Sequence, residues 1–193
     1  MLAVACADGH VIQLKLPLDP LEKPRVLHKH TAAARVVAFS PDGTLLVSGG
    51  LDGVLLMTRL GKEESPSILQ EHTAGIESLV FSPDGKQFAS GARDSKVRLH
   101  STDGRLIRTY TGIGMENELA AERLAAHVWA LAWDKTRLVA GTSKGQLYHL
   151  SQADDQWALL GNFGESIYTL ASDANGSLWA GSNGVLRGPE FGE

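Results

Sequence analysis

Cysteine is nearly absent from this 193-residue chain: the single one, Cys6, has no partner for an internal disulfide, and no Cys-x-x-Cys spacing offers a zinc site. A reducing compartment, cytoplasm or nucleus, is the expected setting. Charge of one sign is also lacking. Eighteen Lys and Arg stand against 22 Asp and Glu, a formal balance of −4, so the chain carries no basic footprint for DNA, RNA or an anionic membrane. No apolar run approaches the roughly 20 residues of a membrane-spanning helix. The opening Met1-Leu2-Ala3-Val4-Ala5-Cys6-Ala7 lacks a basic leader and runs directly into Asp8-Gly9, so it reads as a strand, not a targeting signal. A phosphate-cradling loop is missing, because Gly49-Gly50 follows a strand without the lysine or helix such a loop needs. Helical pattern is scarce. Only 115–126, rich in good helix formers and acidic at its start, reads as a helix.

What is present is a repeat. His30-Thr31 recurs as His72-Thr73, Phe39-Ser40-Pro41-Asp42-Gly43 as Phe81-Ser82-Pro83-Asp84-Gly85, Ser48-Gly49 as Ser90-Gly91 and Asp52 as Asp94, all at an offset of 42 residues. Period comes before any element assignment, since a missed repeat misreads the fold. Two weaker copies follow. Leu131-Ala132-Trp133 with Leu138-Val139-Ala140-Gly141 marks one; Leu170, Asn175-Gly176 and Gly181 mark the other, with Ser172 where an aromatic stood. The stretch from Ala5 to Ile12 matches only the later half of a repeat. The chain thus reads as four repeats and a leading fragment: 1–29 an incomplete unit with its outer strand, 30–71 a repeat, 72–126 a repeat with the helical insertion, 127–165 a repeat, and 166–193 a terminal repeat and tail.

Each unit reads as a meander of four strands, a to d. Val37 and Phe39, like Leu79 and Phe81, alternate with smaller or polar residues until Pro-Asp-Gly closes strand a in a tight turn. Leu45 to Ser48 and Phe88 to Ser90 form strand b, ended at Asp52-Gly53 and Asp94-Ser95. Val54 to Met57 and Lys96 to Leu99 form strand c; Ser67 to Leu69 and Leu106 to Tyr110 form strand d. Several of these are nearly continuous apolar runs, which suits sheets covered on both faces by neighbouring sheets. The fold class is all-β, a β-propeller of four-stranded antiparallel blades, about four and a half of them.

With these landmarks the chain resembles the WD-repeat β-propeller family over essentially its whole length. His30 and His72 stand where the family has the histidine of its Gly-His pair, although Lys29 and Glu71 replace the glycine. Asp52 and Asp94 stand at its tight-turn aspartate. The Trp-Asp pair is missing, its places held by Thr58-Arg59 and His100-Ser101. The resemblance implies two buried, hydrogen-bonded structural sets, His30 with Ser48 and Asp52, and His72 with Ser90 and Asp94. The same three residue types serve hydrolysis, yet their duplication at one spacing speaks for scaffold. It also implies that the chain, opening in strand b and ending in strand c at Val185 to Arg187, is the C-terminal part of a larger ring. A seven-bladed ring at about 40 residues per blade would need roughly 100 more residues upstream. A closed four-bladed ring is the alternative.

In such a fold the d-to-a and b-to-c connections share one rim, usually the binding face. Repeat alignment brings Arg35, Glu77, Trp129 and Tyr168 to equivalent places there, with Leu51 and Arg93 before the turn aspartates. Arg, Trp and Tyr dominate interface energetics; packing between blades is the competing role for Trp129 and Tyr168. The helical segment would project from the same rim. His28, His30 and His149 form no convincing metal set, and Asp154-Asp155 reads as a solvated turn. The expectation is a non-enzymatic scaffold or adaptor that binds other proteins, without metal or cofactor and without direct contact to nucleic acid or membrane. Open blade faces would also permit self-association. The alternatives are a lactonase-like propeller hydrolase and a sensory module of a larger protein; the mixed signs and aromatics of the rim favour protein binding.

Overall fold

A computed structural model describes residues 1–17, 23–62, 64–70, 72–111, 113, 126–135, 137–151, 155–173, 177–182 and 185–187. All regular structure among them is strand. The expected helix over 115–126 lies outside the described residues except at Ala126. Five antiparallel sheets follow one another along the chain: β1 (Leu2–Ala5), β2 (His10–Leu14), β3 (Arg25–Lys29); β4 (Ala34–Phe39), β5 (Leu45–Gly50), β6 (Val54–Arg59), β7 (Ser67–Gln70); β8 (Ile76–Phe81), β9 (Gln87–Ala92), β10 (Val97–Ser101), β11 (Leu106–Tyr110); β12 (Val128–Asp134), β13 (Arg137–Thr142), β14 (Gln146–Leu150), β15 (Trp157–Asn162); and β16 (Thr169–Ser172), β17 (Leu178–Ser182), β18 (Val185–Arg187). Strands pair in chain order within each sheet, so each is an up-and-down meander, a blade. The first has strands b to d and the last a to c.

Turn chemistry closes the strands as the Pro-Asp-Gly motif demands. Ser40 Oγ donates to Asp42 and accepts from the Leu45 amide at 2.9 Å, while Gly43 adopts φ +68°. Ser82, Asp84 and Gly85 repeat the arrangement, again with φ +68°. An Asx-type bond followed by a left-handed glycine is a local device that needs no tertiary help.

The core lies between blades. Strand β5 is buried at every position: its side chains alternate, Leu45 and Val47 packing with Ile76, Leu79, Phe81 and Phe88 of the third blade, and Leu46 with Val11 and Ala34 on the side of the first. The third and fourth blades share Ala89, Val97 and Leu99 with Val128, Leu131 and Leu138; the fourth and fifth share Ala130, Val139 and Leu147 with Ile167, Leu178 and Ala180. Burying each large aliphatic or aromatic side chain contributes about 1.5–3 kcal/mol, so the sheets are held as neighbours, not singly. Packing joins β1 to β4, β4 to β8, β8 to β12 and β12 to β16, and no comparable packing joins β16 to β1 among the described residues.

Small residues on strand b let the blades approach. A Cβ on Gly49 would stand 2.6 Å from Ile76 Cγ2, one on Gly91 2.6 Å from Val128 Cγ1, and one on Gly141 2.6 Å from Ile167 Cγ2. Each β-branched residue thus fills the space that the preceding blade's glycine leaves. At the first junction both partners are alanine, Ala5 and Ala34, so the space is shared between two methyl groups there.

Candidate protein-binding rim

The connections from strand d to strand a and from b to c meet at one rim through repeated hydrogen bonds. Leu51 N donates to Ala33 O, Arg93 N to Gly75 O and Ser143 N to His127 O, all at 2.9–3.0 Å. The turn glycine Gly53 takes φ +77° beneath the next connection, where a Cβ would stand 2.7 Å from the His72 carbonyl oxygen. Side chain and geometry are both excluded there.

Under this rim lie the histidine networks. His30 Nδ1 faces the Asp52 carboxylate at 3.2 Å and its Nε2 lies 2.8 Å from Ser48 Oγ; His72 Nδ1 faces Asp94 at 3.0 Å and its Nε2 lies 2.9 Å from Ser90 Oγ. The residues of each expected set are therefore in contact. The first network extends further than the sequence reading reached. His28 Nε2 is 2.7 Å from the same Ser48 Oγ, and its Nδ1 is 2.8 Å from Thr58 Oγ1, the residue at the family's tryptophan position. Proton accounting fixes one direction for neutral rings. Asp52 only accepts, so His30 carries its proton on Nδ1 and accepts from Ser48; His28 then donates from Nε2 to Ser48 and accepts from Thr58. Burial, with the His30 ring beside it, holds His28 down at about 4.

The second network differs. His100 replaces Thr58; it is wholly buried and stacked on Phe88 at 5.0 Å, and neither ring nitrogen has a hydrogen-bond partner among the described residues. Burial and the neighbouring His72 and Arg98 push it down to about 4. Arg98, where the first copy has Leu56, donates from Nη1 to Asp94 at 3.0 Å. Burial alone would raise Asp94, but hydrogen bonds and charge from His72 and Arg98 and the Thr73 amide hold it far below the usual carboxylate range. Asp52 is likewise lowered, its burial outweighed by the Val54 and Thr31 amides and by His30. His28, Arg98 and His100 were missed in the sequence; two signals mark them, the second histidine two residues before His30 and polar residues at inward strand c positions. Ser48 and Ser90 are completely buried and held by imidazoles, so neither hydroxyl can meet a substrate.

Strand a carries a β-bulge at the same place in three consecutive blades. Ala34 pairs with Gly50 and Val36 with Gly49; Ile76 with Ala92 and Ser78 with Gly91; Val128 with Thr142 and Ala130 with Gly141. The unpaired extra residues are Arg35, Glu77 and Trp129. A bulge re-aims its side chain away from the sheet's alternation, and these three meet partners at the blade junctions. Arg35 Nε donates to Glu77 Oε2 at 2.9 Å across two blades, and Arg93 Nε donates to Glu77 Oε1 at 2.6 Å. The Trp129 ring stacks on Tyr168 of the last blade at 5.0 Å and 21°, with His127 tilted beside it. Trp129 is half-buried and Tyr168 is 51% exposed. Leu51 is exposed at the edge of the same rim and abuts Gly75. The six rim residues thus form two groups, Arg35, Glu77 and Arg93 in one and Trp129 with Tyr168 in the other, with Leu51 beside the first.

One weaker candidate, Asp155, differs from expectation, and the histidines of another have structural partners. Asp155 is not merely solvated: it accepts from Tyr110 Oη at 2.8 Å and pairs with Arg108, tying strand β11 to the fourth blade, while Asp154 lies outside the described residues. His28 and His30 spend their ring nitrogens on hydroxyls and a carboxylate, and His149 sits in β14 of another blade.

An array of antiparallel blades stacked face to face, with histidine and aspartate locking the d-to-a connection to the b-to-c turn in the second and third, has the architecture of the repeat-propeller class. The sequence profile described as WD domain, G-beta repeat, matches residues 21–57 and 63–101, so these two segments are WD repeats. Repeats of this family generally mediate protein–protein interaction and are typically non-enzymatic. Comparison with curated proteins gave no match.

Proposed function

We propose that the chain is a non-enzymatic interaction platform, an adaptor or scaffold subunit that binds other proteins through the rim formed by Arg35, Leu51, Glu77, Arg93, Trp129 and Tyr168. The observation that carries this reading is the bulge repeated at Arg35, Glu77 and Trp129. It aims interface-forming side chains at one rim, blade after blade, where regular strand pairing would turn them toward a neighbouring sheet. The sealed Ser48 and Ser90 support binding over hydrolysis. A reducing cytoplasmic or nuclear setting suits the unpaired Cys6.

Affinity purification compares the wild-type chain with an Arg35→Ala/Trp129→Ala variant of unchanged circular dichroism. Specific partners should fall about tenfold or more, the scale of losing two interface anchors. An unchanged partner set would remove the rim from contention.

A further inference from the structure

Glu77 is the least exposed member of its cluster: its side chain is 6% exposed, against 55% for Arg35 and 45% for Arg93. Each arginine spends only its Nε–H on that carboxylate. The Nη groups of both have no hydrogen-bond partner among the described residues, although a guanidinium carries five donors in a rigid fork. A single buried carboxylate thus orients two guanidinium groups and leaves their outer edges facing solvent. The cluster has a net charge of +1. On the adjoining turns Asp94 is paired with Arg98, and Asp52 lies nearly buried against His30 and the Thr31 and Val54 amides. Repeat position sets Arg93 where Leu51 stands in the preceding blade. Leu51 touches Gly75 of the following blade, and the residue equivalent to Gly75 in the blade after Arg93 is His127, which adjoins Trp129. The guanidinium pair and the aromatic stack therefore occupy consecutive sectors of one rim.

We infer that this pair is a carboxylate receptor, taking a glutamate or aspartate side chain from an acidic segment of a partner protein while a neighbouring apolar side chain lies on the Trp129–Tyr168 stack. One carboxylate matches the net charge of the cluster, and preorganised guanidinium forks bind carboxylates through parallel charge-assisted hydrogen bonds. The inference rests on the rim being the binding face and adds the chemistry of what it binds.

Three fluorescein-labelled peptides, identical except for a central glutamate, glutamine or phosphoserine between leucine and phenylalanine, are titrated with the full chain by fluorescence anisotropy. The glutamate peptide should bind about tenfold tighter than the glutamine peptide, and the preference should shrink as salt rises. Arg35→Ala or Arg93→Ala should abolish the preference, whereas Trp129→Ala should weaken both peptides and keep it. Equal binding of glutamate and glutamine peptides, a preference that survives Arg93→Ala, or tighter binding of phosphoserine would overturn the carboxylate assignment. If no peptide binds while Arg35→Ala/Trp129→Ala still strips partners in affinity purification, the receptor fails and the rim stands; if that variant strips none, the rim itself fails.

Discussion

Ser48 Oγ serves two imidazoles at once, at 2.7 and 2.8 Å, where Ser90 Oγ serves one at 2.9 Å. Removing the hydroxyl leaves two buried ring nitrogens unpaired in the first network and one in the second. An unsatisfied buried polar group costs about 1–3 kcal/mol, so Ser48→Ala should destabilise by about 3 kcal/mol and Ser90→Ala by about half that, measured by urea unfolding. Equal losses would contradict the shared hydroxyl. The histidines also set a pH dependence. His28 and His100 stay neutral in the fold down to about 4, while the unfolded chain protonates near 6.5. Stability is then full above about pH 6.5, falls as the pH drops through that interval, and loses up to about 3 kcal/mol per ring by pH 4. Below the ordinary aspartate value of 3.8, protonation of Asp52 and Asp94 adds a further loss. His100→Phe, which removes the unpartnered ring, should stabilise the chain at pH 7 by about 1 kcal/mol and flatten the acid loss; a pH-independent unfolding midpoint between about 7 and 4.5 would refute the assignment. The triads were legible because His, Ser and Asp keep one spacing in two copies. His28 was not, because its partners Ser48 and Thr58 lie 20 and 30 residues away and only the fold brings them together.

Strands and their turns were readable from alternation and Pro-Asp-Gly, and the d strands Ser67–Gln70 and Leu106–Tyr110 fall where the sequence places them. Two features of the elements were not. A bulge that both copies carry leaves the offset of 42 residues intact, so Arg35 and Glu77 align by number without any sign that each is the extra residue of its strand. The strand b glycines were visible as landmarks, but their purpose depends on a residue in the next blade. Gly49→Ala would set a methyl 2.6 Å from Ile76 Cγ2 and should destabilise by about 1–3 kcal/mol. Adding Ile76→Ala recreates the alanine pair of the first junction. The double variant should therefore be more stable than the sum of the singles by about 1 kcal/mol, read from denaturation midpoints; strict additivity would show that the two side chains do not share a space.

On the scale of the whole molecule, every apolar core lies between two sheets, and this arrangement gives the chain a rim and an outer wall with different chemistry. The wall is made of d strands whose exposed apolar residues, Val26, Ile68, Ile107 and Leu159, are scattered one or two to a blade. The rim brings the bulge residues Arg35, Glu77 and Trp129 together with Arg93 and Tyr168 in a guanidinium pair and an aromatic stack. Period and alternation reveal stacked blades; the bulges and the buried Glu77 carboxylate that group the rim side chains are visible only in coordinates. The most direct test places a photo-cross-linking amino acid at Tyr168, on the rim, or at Ile68, 67% exposed on the wall, and irradiates intact cells producing each full chain. Discrete protein adducts from position 168 and none from position 68 are the expected result; adducts from 68 with none from 168 would contradict the assignment of the rim as the binding face.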